Sequence, residues 1–358
     1  MSKISDTPLG TGTFFKSEAT PATPEFSTTR LRQSLRSRDL RQSDFQYTTS
    51  PWRLLQYDAI LFFYKSPYLR WFLWSPLPTC PSNELYLWKW SNIVSLSRQL
   101  VLLLSTLPLI GLLCMPIINV FATVGLVGLV GFAVAANTWT VKKQATKYQS
   151  QGGADFPDEV WLYVNGICCD QSWLRIHCEM LARMFGRRII GVYNPTFGPV
   201  LDMVGCIYQR CFTYSTKSLR QLYETTRKAL LRPEISKVVL IAHSQGGIIA
   251  SQVVDRLIAT EDKQTVGKLE VYTFGSAANH FNGDESVRHI EHFANEGDFV
   301  AQTGVLAYKT LDGNRYDGIL YTNNATGHLL NTHYLQSTFT NGNGAMRSRL
   351  AAYLDEHV

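Results

Sequence analysis

The sequence predicts an α/β fold with a doubly wound, mostly parallel sheet, preceded by a hydrophobic membrane hairpin and a disordered N-terminal arm. Three observations predict it. From residue 157 onward, short apolar runs of strand length alternate with segments of helical spacing, the pattern of a parallel sheet covered on both faces. Residues 238–242 (Val-Val-Leu-Ile-Ala) are apolar at every position, as a strand buried on both sides must be. From residue 100 to 136, 37 positions pass without a charge. One helix needs only about 20 apolar residues to cross the ~30 Å hydrocarbon core.

Taken in order, residues 1–50 are rich in Ser, Thr and Arg and poor in large apolar side chains, the composition of a disordered arm. Residues 51–97 hold Trp52, Trp71, Trp74, Trp88 and Trp90, five of the eight tryptophans, interleaved with Arg53, Lys65, Arg70 and Lys89. Such a mixture suits the lipid headgroup layer or a helical cap on the following domain. Residues 98–141 read as a membrane-embedded helical hairpin, with segments 98–116 and 119–139 parted by Met115-Pro116 and Asn119. Gly125, Gly128 and Gly131 would let the two helices approach closely. Arg98 before the hairpin and Lys142, Lys143 and Lys147 after it predict that both ends stay in the cytosol. Residues 142–156, with Gln151-Gly152-Gly153, read as a linker. In the domain at 157–358, strands are expected at 160–164, 188–193, 238–242, 269–274, 290–294 and 318–322. Helices are expected at 173–185, 218–231, from 248 on, and at 346–355.

Charge narrows the partners. Residues 1–150 carry 15 Lys and Arg against 7 Asp and Glu, and residues 151–358 carry 19 against 21. A basic N-terminal part beside a nearly neutral domain points to an anionic membrane surface. It does not suggest nucleic acid, since no basic stripe with groove-reading motifs appears. Seven cysteines without a C-x-x-C pair suggest buried thiols in a reducing compartment, and no metal site.

The chemistry gathers around Ala242-His243-Ser244-Gln245-Gly246-Gly247, where the strand run stops and helical spacing begins at Ile248. Strand, tight turn of small residues and helix make a nucleophile elbow, which lifts the Ser244 hydroxyl above the sheet. A serine needs a histidine base, itself oriented by a carboxylate. In the chain order Ser…Asp…His that accompanies such an elbow, both follow Ser244 at the ends of later strands. Asp298, just past the strand at 290–294, is the expected acid; Glu296, Asp284 and Asp312 compete with it. His328, in a Gly-His turn after the strand at 318–322, is the expected base, with His333 as the alternative. His243 is expected to point away from the site. Oxyanion donors are expected from the backbone of Gln245 and from Gly166 and Ile167 after the first strand, with Asn165 as buttress or donor. The segment 194–199 is expected at the rim of the site.

These residues carry a resemblance. Residues 158–336 resemble the α/β-hydrolase superfamily, with Val164-Asn165-Gly166-Ile167 standing where an oxyanion loop usually reads His-Gly. The segment from Tyr272 to Asn279 is similar to the Phe-Gly-x-Pro-Arg-x-Gly-Asn of fungal class 3 lipases, without its Pro-Arg. The segment from Asn295 to Val300 is similar to their acid-bearing Asp-x-Val-Pro. The whole arrangement looks closest to uncharacterised membrane-associated fungal serine esterases. The resemblance implies a serine hydrolase that cleaves lipid or other hydrophobic esters through an acyl-serine, without a cofactor. The expected location is an intracellular membrane, endoplasmic reticulum or lipid droplet, with the catalytic domain facing the cytosol. Acyl transfer to an alcohol on the same serine, and a non-catalytic membrane scaffold, are the alternatives.

Overall fold

The structure, a computed structural model, describes residues 26–31, 50–70, 84–113 apart from 87, isolated positions between 124 and 135, 146–340 apart from 284, 309, 310, 312 and 313, and 348–355. Its centre is an eight-stranded sheet of β1 (Phe26–Leu31), β2 (Lys147–Gln149), β3 (Glu159–Val164), β4 (Ile189–Val192), β5 (Lys237–His243), β6 (Leu269–Phe274), β7 (His289–Gly297) and β8 (Gly318–Thr326). The spatial order is β1-β8-β7-β6-β5-β3-β4-β2. The outermost strands, β1 on β8 and β2 on β4, pair antiparallel, and the six between them are parallel. The chain winds from β3 outward to β4, then returns to the other flank of β3 as β5. This reversal opens a crevice beyond the C-terminal ends of β3 and β5, where ligands of such sheets bind.

Helices follow the strands: α1 (Pro51–Lys65), α2 (Trp90–Leu113), α3 (Gln171–Phe185), α4 (Pro199–Phe212), α5 (Lys217–Leu230) and α6 (Gln245–Thr260), with the short α7 (Lys263–Val266), α8 (Phe299–Thr303) and α9 (Val305–Tyr308). A π-helical segment, Leu330–Thr340, and α10 (Arg349–Asp355) follow β8. The period of two along the strands divides the core. Leu162, Val164, Val238, Leu240 and Ala242 face α1, α5 and α6, while Trp161, Tyr163, Val239 and Ile241 face α3, the π-helical segment and α10.

Several boundaries differ from those the sequence suggests. The arm expected to be disordered contributes β1, whose register runs from Phe26 opposite Asn323 to Leu31 opposite Gly318. The linker supplies β2, so the sheet begins before residue 157. The aromatic segment includes α1, which is tied to the domain by a buried ion pair between Asp58 and Arg210.

The described residues do not support the membrane hairpin. Among the described residues, no helix is long and apolar enough to cross a membrane. The first arm belongs to α2, which starts eight residues earlier and takes in Ser91, Asn92, Ser95, Arg98 and Gln99. This helix turns its more polar side inward: Asn92, Ser95, Gln99, Leu102 and Thr106, at helical spacing, are buried. Gln99 Nε2 donates to Thr196 Oγ1 at 3.3 Å and to the Cys168 carbonyl at 3.2 Å. Outward stand Ile93, Val94, Leu100, Val101 (59% exposed) and Leu104 (60%). Most of the second arm, 119–139, lies outside the described residues.

Burial also sets a pH dependence. His292 donates from Nε2 to the Asp317 carbonyl (2.9 Å), accepts the Thr273 hydroxyl (2.7 Å), and is pushed down by burial to about 4. His243 and His333 are lowered from the same cause. In the unfolded chain these groups titrate near ~6.5, so below that pH the unfolded state binds protons the folded state refuses. Their contribution to stability is complete above about pH 6.5 and is lost as the pH falls toward about 4. The melting temperature is expected to drop across that window and to drop less in His292→Gln. A flat profile in the wild type would contradict this account.

Candidate active site

Ser244 sits between β5 and α6 with φ 61° and ψ −125°, a left-handed backbone unusual for a residue with a side chain. Such strain costs on the order of 1–3 kcal/mol and persists only where the surroundings enforce it. Here the Ser244 N–H donates to the Phe274 carbonyl (3.0 Å), and the Ser244 carbonyl accepts from Gly247 (2.9 Å) and Ala277 (3.1 Å). The helix starts close against β3: a Cβ on Gly246 would lie 2.5 Å from the Val164 carbonyl oxygen. Across the crevice, a Cβ on Gly166 would lie 2.4 Å from Ser244 Cβ and 2.8 Å from its Oγ. Only glycine lets the loop after β3 approach the serine this closely.

His328 and Asp298 are brought together. His328 Nδ1 donates to Asp298 Oδ2 at 2.8 Å, both side chains buried. A carboxylate at Nδ1 fixes the proton there and leaves the lone pair on Nε2, the form a general base requires. Asp298 also caps α8, its Oδ1 accepting from Val300 N–H (2.8 Å), and its Oδ2 accepts the Tyr334 hydroxyl at 2.6 Å. Burial, then the Asp298 charge, raise the Tyr334 phenol well above its usual range, so it remains a donor. Among the competing acids, Glu296 is exposed, while Asp284 and Asp312 lie outside the described residues.

The other two histidines of the region serve the loop. His333 Nδ1 accepts the Leu329 N–H at 2.9 Å, and its ring fills the space where a Gly327 side chain would stand. His243 turns behind the base, stacking its ring on His328 (centroids 4.6 Å apart) and donating from Nε2 to the His328 carbonyl (2.7 Å). It faces away from the crevice and still touches the base. Because His243 adjoins Ser244, this stack brings His328 and Ser244 to the same end of the sheet.

The oxyanion side is braced by amides. The Asn165 side chain donates to the Asn194 carbonyl (2.8 Å) and accepts its N–H (2.8 Å), tying the end of β3 to the end of β4. Asn194 Nδ2 donates to Gln245 Oε1 (2.7 Å), which holds that side chain aside. The Gln245 backbone N–H opens α6, where N–H groups lack intrahelical acceptors. Asp202, on the first turn of α4, accepts from Cys168 N (2.9 Å) and Phe197 N (2.7 Å), joining the loop that carries Gly166 and Ile167 to the segment 194–199. Burial raises its carboxyl. Beside this loop lies a groove of about 590 Å³, lined by Tyr193, Asn194, Phe197, Leu201, Tyr208 and Gln245 among others. Among the described residues, no group of three or more His, Cys, Asp or Glu side chains is arranged to hold a metal ion.

No family model matches the chain, and no curated protein matches it. Among solved structures it is similar to a Trichoderma reesei cutinase in complex with a phosphonate inhibitor. That match has 18% identity, covers 59% of this chain and 92% of that one, and has a TM-score of 0.29. It is also similar to the esterase Est22 (12% identity, 72% and 92% covered, TM-score 0.34) and to a bacterial heroin esterase (13%, 63% and 87%, 0.30). The fold class rests on the chain's own strand order and its strand–Ser244–helix turn.

Tyr334 and Asp202 had no signal of their own in the sequence. Each reaches its partner across a distance that only the folded sheet closes, 36 residues for Tyr334 and Asp298. Asn194 belongs to the 194–199 segment expected at the rim, and Asp202 follows it on helix α4, which has no counterpart among the expected helices.

Proposed function

We propose that the chain is a membrane-associated serine hydrolase that cleaves carboxylic esters of lipids. Ser244 Oγ attacks the ester carbonyl while His328 Nε2 takes its proton, and Asp298 stabilises the imidazolium that forms. The backbone N–H groups of Gln245 and of Gly166 or Ile167 receive the developing oxyanion. The alcohol leaves with the proton from His328, and a water activated by the same base releases the acid. The observation that carries this reading is the His328–Asp298 bond of 2.8 Å at the sheet end where Ser244 adopts its left-handed turn.

The lipid substrate and the membrane are supported by α2, where Ile93, Val94, Leu100, Val101 and Leu104 face outward while Asn92, Ser95, Gln99 and Thr106 are buried. Trp52 (66% exposed), Ile60 and Phe63 on α1, and Val204 and Tyr208 on α4, add to that apolar exterior. Contact with an intracellular membrane, endoplasmic reticulum or lipid droplet, from its cytosolic side would cover these residues and bring substrate to the crevice. Labelling with a fluorophosphonate probe, in membrane fractions holding the full chain or Ser244→Ala, tests the chemistry. Label on the wild type alone is expected; a folded wild type that takes no label would leave only a scaffold.

A further inference from the structure

The loop that carries His328 is grasped by a carboxylate from far back in the chain. Glu84 is fully buried. Its Oε1 accepts the Asn331 N–H at 2.7 Å and His177 Nε2 at 3.1 Å, and its Oε2 accepts the Thr332 hydroxyl at 3.0 Å. Asn331 stands three residues after His328, in the first turn of the π-helical segment. From the opposite side, Asn295 Nδ2 donates to the carbonyls of Gly327 (3.2 Å) and His333 (3.1 Å). His177 shares Nδ1 with the Tyr163 hydroxyl on β3 (2.9 Å) and lies edge-on to His243, which stacks on His328.

A carboxylate has no packing reason to occupy such a site, because burying it costs free energy unless donors surround it. Burial alone would raise the Glu84 carboxyl; the hydrogen bonds from His177 and Asn331 outweigh it and hold the group below the usual carboxylate range. His333, Tyr163 and Cys169 are the other titratable groups that feel its charge. Two independent parts of the chain thus meet on this one side chain: the segment between β1 and β2 and the turn that presents His328.

We propose that Glu84 is a positioning residue, which fixes where His328 stands by holding Asn331 and Thr332, so that the segment between β1 and β2 completes the active site. The inference rests on the roles given above to Ser244, His328 and Asp298. It acts on geometry: displacing a base by about 1 Å lowers a rate on the order of 10²-fold.

The test uses the full chain with three replacements, read by ester-hydrolysis kinetics and by the rate of fluorophosphonate labelling. Glu84→Met keeps the length and removes the acceptors. It should lower kcat about 10²-fold with KM within about twofold, and slow labelling of Ser244 in parallel. Glu84→Gln keeps an oxygen for His177 and Asn331, and the Thr332 hydroxyl can turn to accept its amide, so most of the rate should return. Packing alone would make Met and Gln equivalent, and equal kcat in the two variants would overturn the proposal. If Glu84→Met does not fold, Thr332→Val removes one donor while keeping the shape; an unchanged kcat there would overturn it equally. A wild type that takes no label defeats the hydrolase reading and this inference together. A labelled wild type with an equally fast Glu84→Met defeats this inference alone.

Discussion

Replacing His328 with alanine is expected to lower kcat for ester hydrolysis by on the order of 10⁵–10⁶ while the protein stays folded. The fold survives because Asp298 keeps two donors, Val300 N–H and the Tyr334 hydroxyl, when the imidazole is gone. The rate does not, because nothing else stands at Nε2 to take the serine proton. Asp298→Asn should cost about 10⁴, since an amide at Oδ2 no longer fixes the Nδ1–H form of the ring. His333→Ala should remain within about tenfold of wild type, because the His333 ring accepts the Leu329 N–H while Asp298 is hydrogen-bonded to His328. The double variant Ser244→Ala/His328→Ala should be no slower than either single one, as members of one catalytic unit are not additive. Steady-state kinetics on an activated ester, with circular dichroism to confirm folding, decides the matter. Loss of activity in His333→Ala alone would move the base, and full activity in His328→Ala would end this mechanism.

Removing the carboxylate of Asp58 is expected to destabilise the protein by about 3–5 kcal/mol, the cost of leaving a buried charge without its partner. Asp58, on α1, accepts from Arg210 Nε at 2.9 Å, from Arg210 Nη2, and from the Tyr308 hydroxyl at 2.6 Å. Arg210 Nη1 donates to the carbonyls of Ala277 and Thr303, both at 2.8 Å. Burial opposes the guanidinium charge, and Asp58 holds the Arg210 pKa above its ordinary value. In Asp58→Ala that charge stays buried with no counter-ion, and the melting temperature should fall by about 10 °C. An apolar double replacement, Asp58→Leu with Arg210→Met, should recover most of the loss, since paired burial of charge contributes little net stability. A melting temperature within about 2 °C of wild type in Asp58→Ala would mean that α1 adds nothing to the stability of the domain.

Most of the sheet was legible because its signals are local. The strand at β6 and the elbow at Ser244 are dictated by apolar runs and small residues whose meaning does not depend on the rest of the fold. Asp298 was legible for a similar reason, lying just beyond a strand end. What was hidden depends on tertiary contact. Helix α4 buries Asp202, Gln209 and Arg210 inward while Val204 and Tyr208 stand outside, so its polarity gives no warning of its packing. Around the start of the uncharged stretch at 100–136, helix α2 was hidden for the converse reason. Mean hydropathy does not reveal that Gln99 and Thr106 face the protein and Leu104 the exterior. Glu84 and Tyr334 are ordinary residues until the sheet brings them to the base.

Ribosomal synthesis gives these long-range contacts an order in time. Asp58 leaves the ribosome 152 residues before Arg210, and Gln99 leaves 97 residues before Thr196. At about 5–20 residues per second, α1 and α2 wait about 5–30 s for the surfaces that receive them. During that interval the side of α2 destined for the interior has no acceptor, and its apolar side is already complete. Whatever meets the nascent chain first, a lipid surface or a chaperone, meets that apolar side, and the sheet then closes from behind.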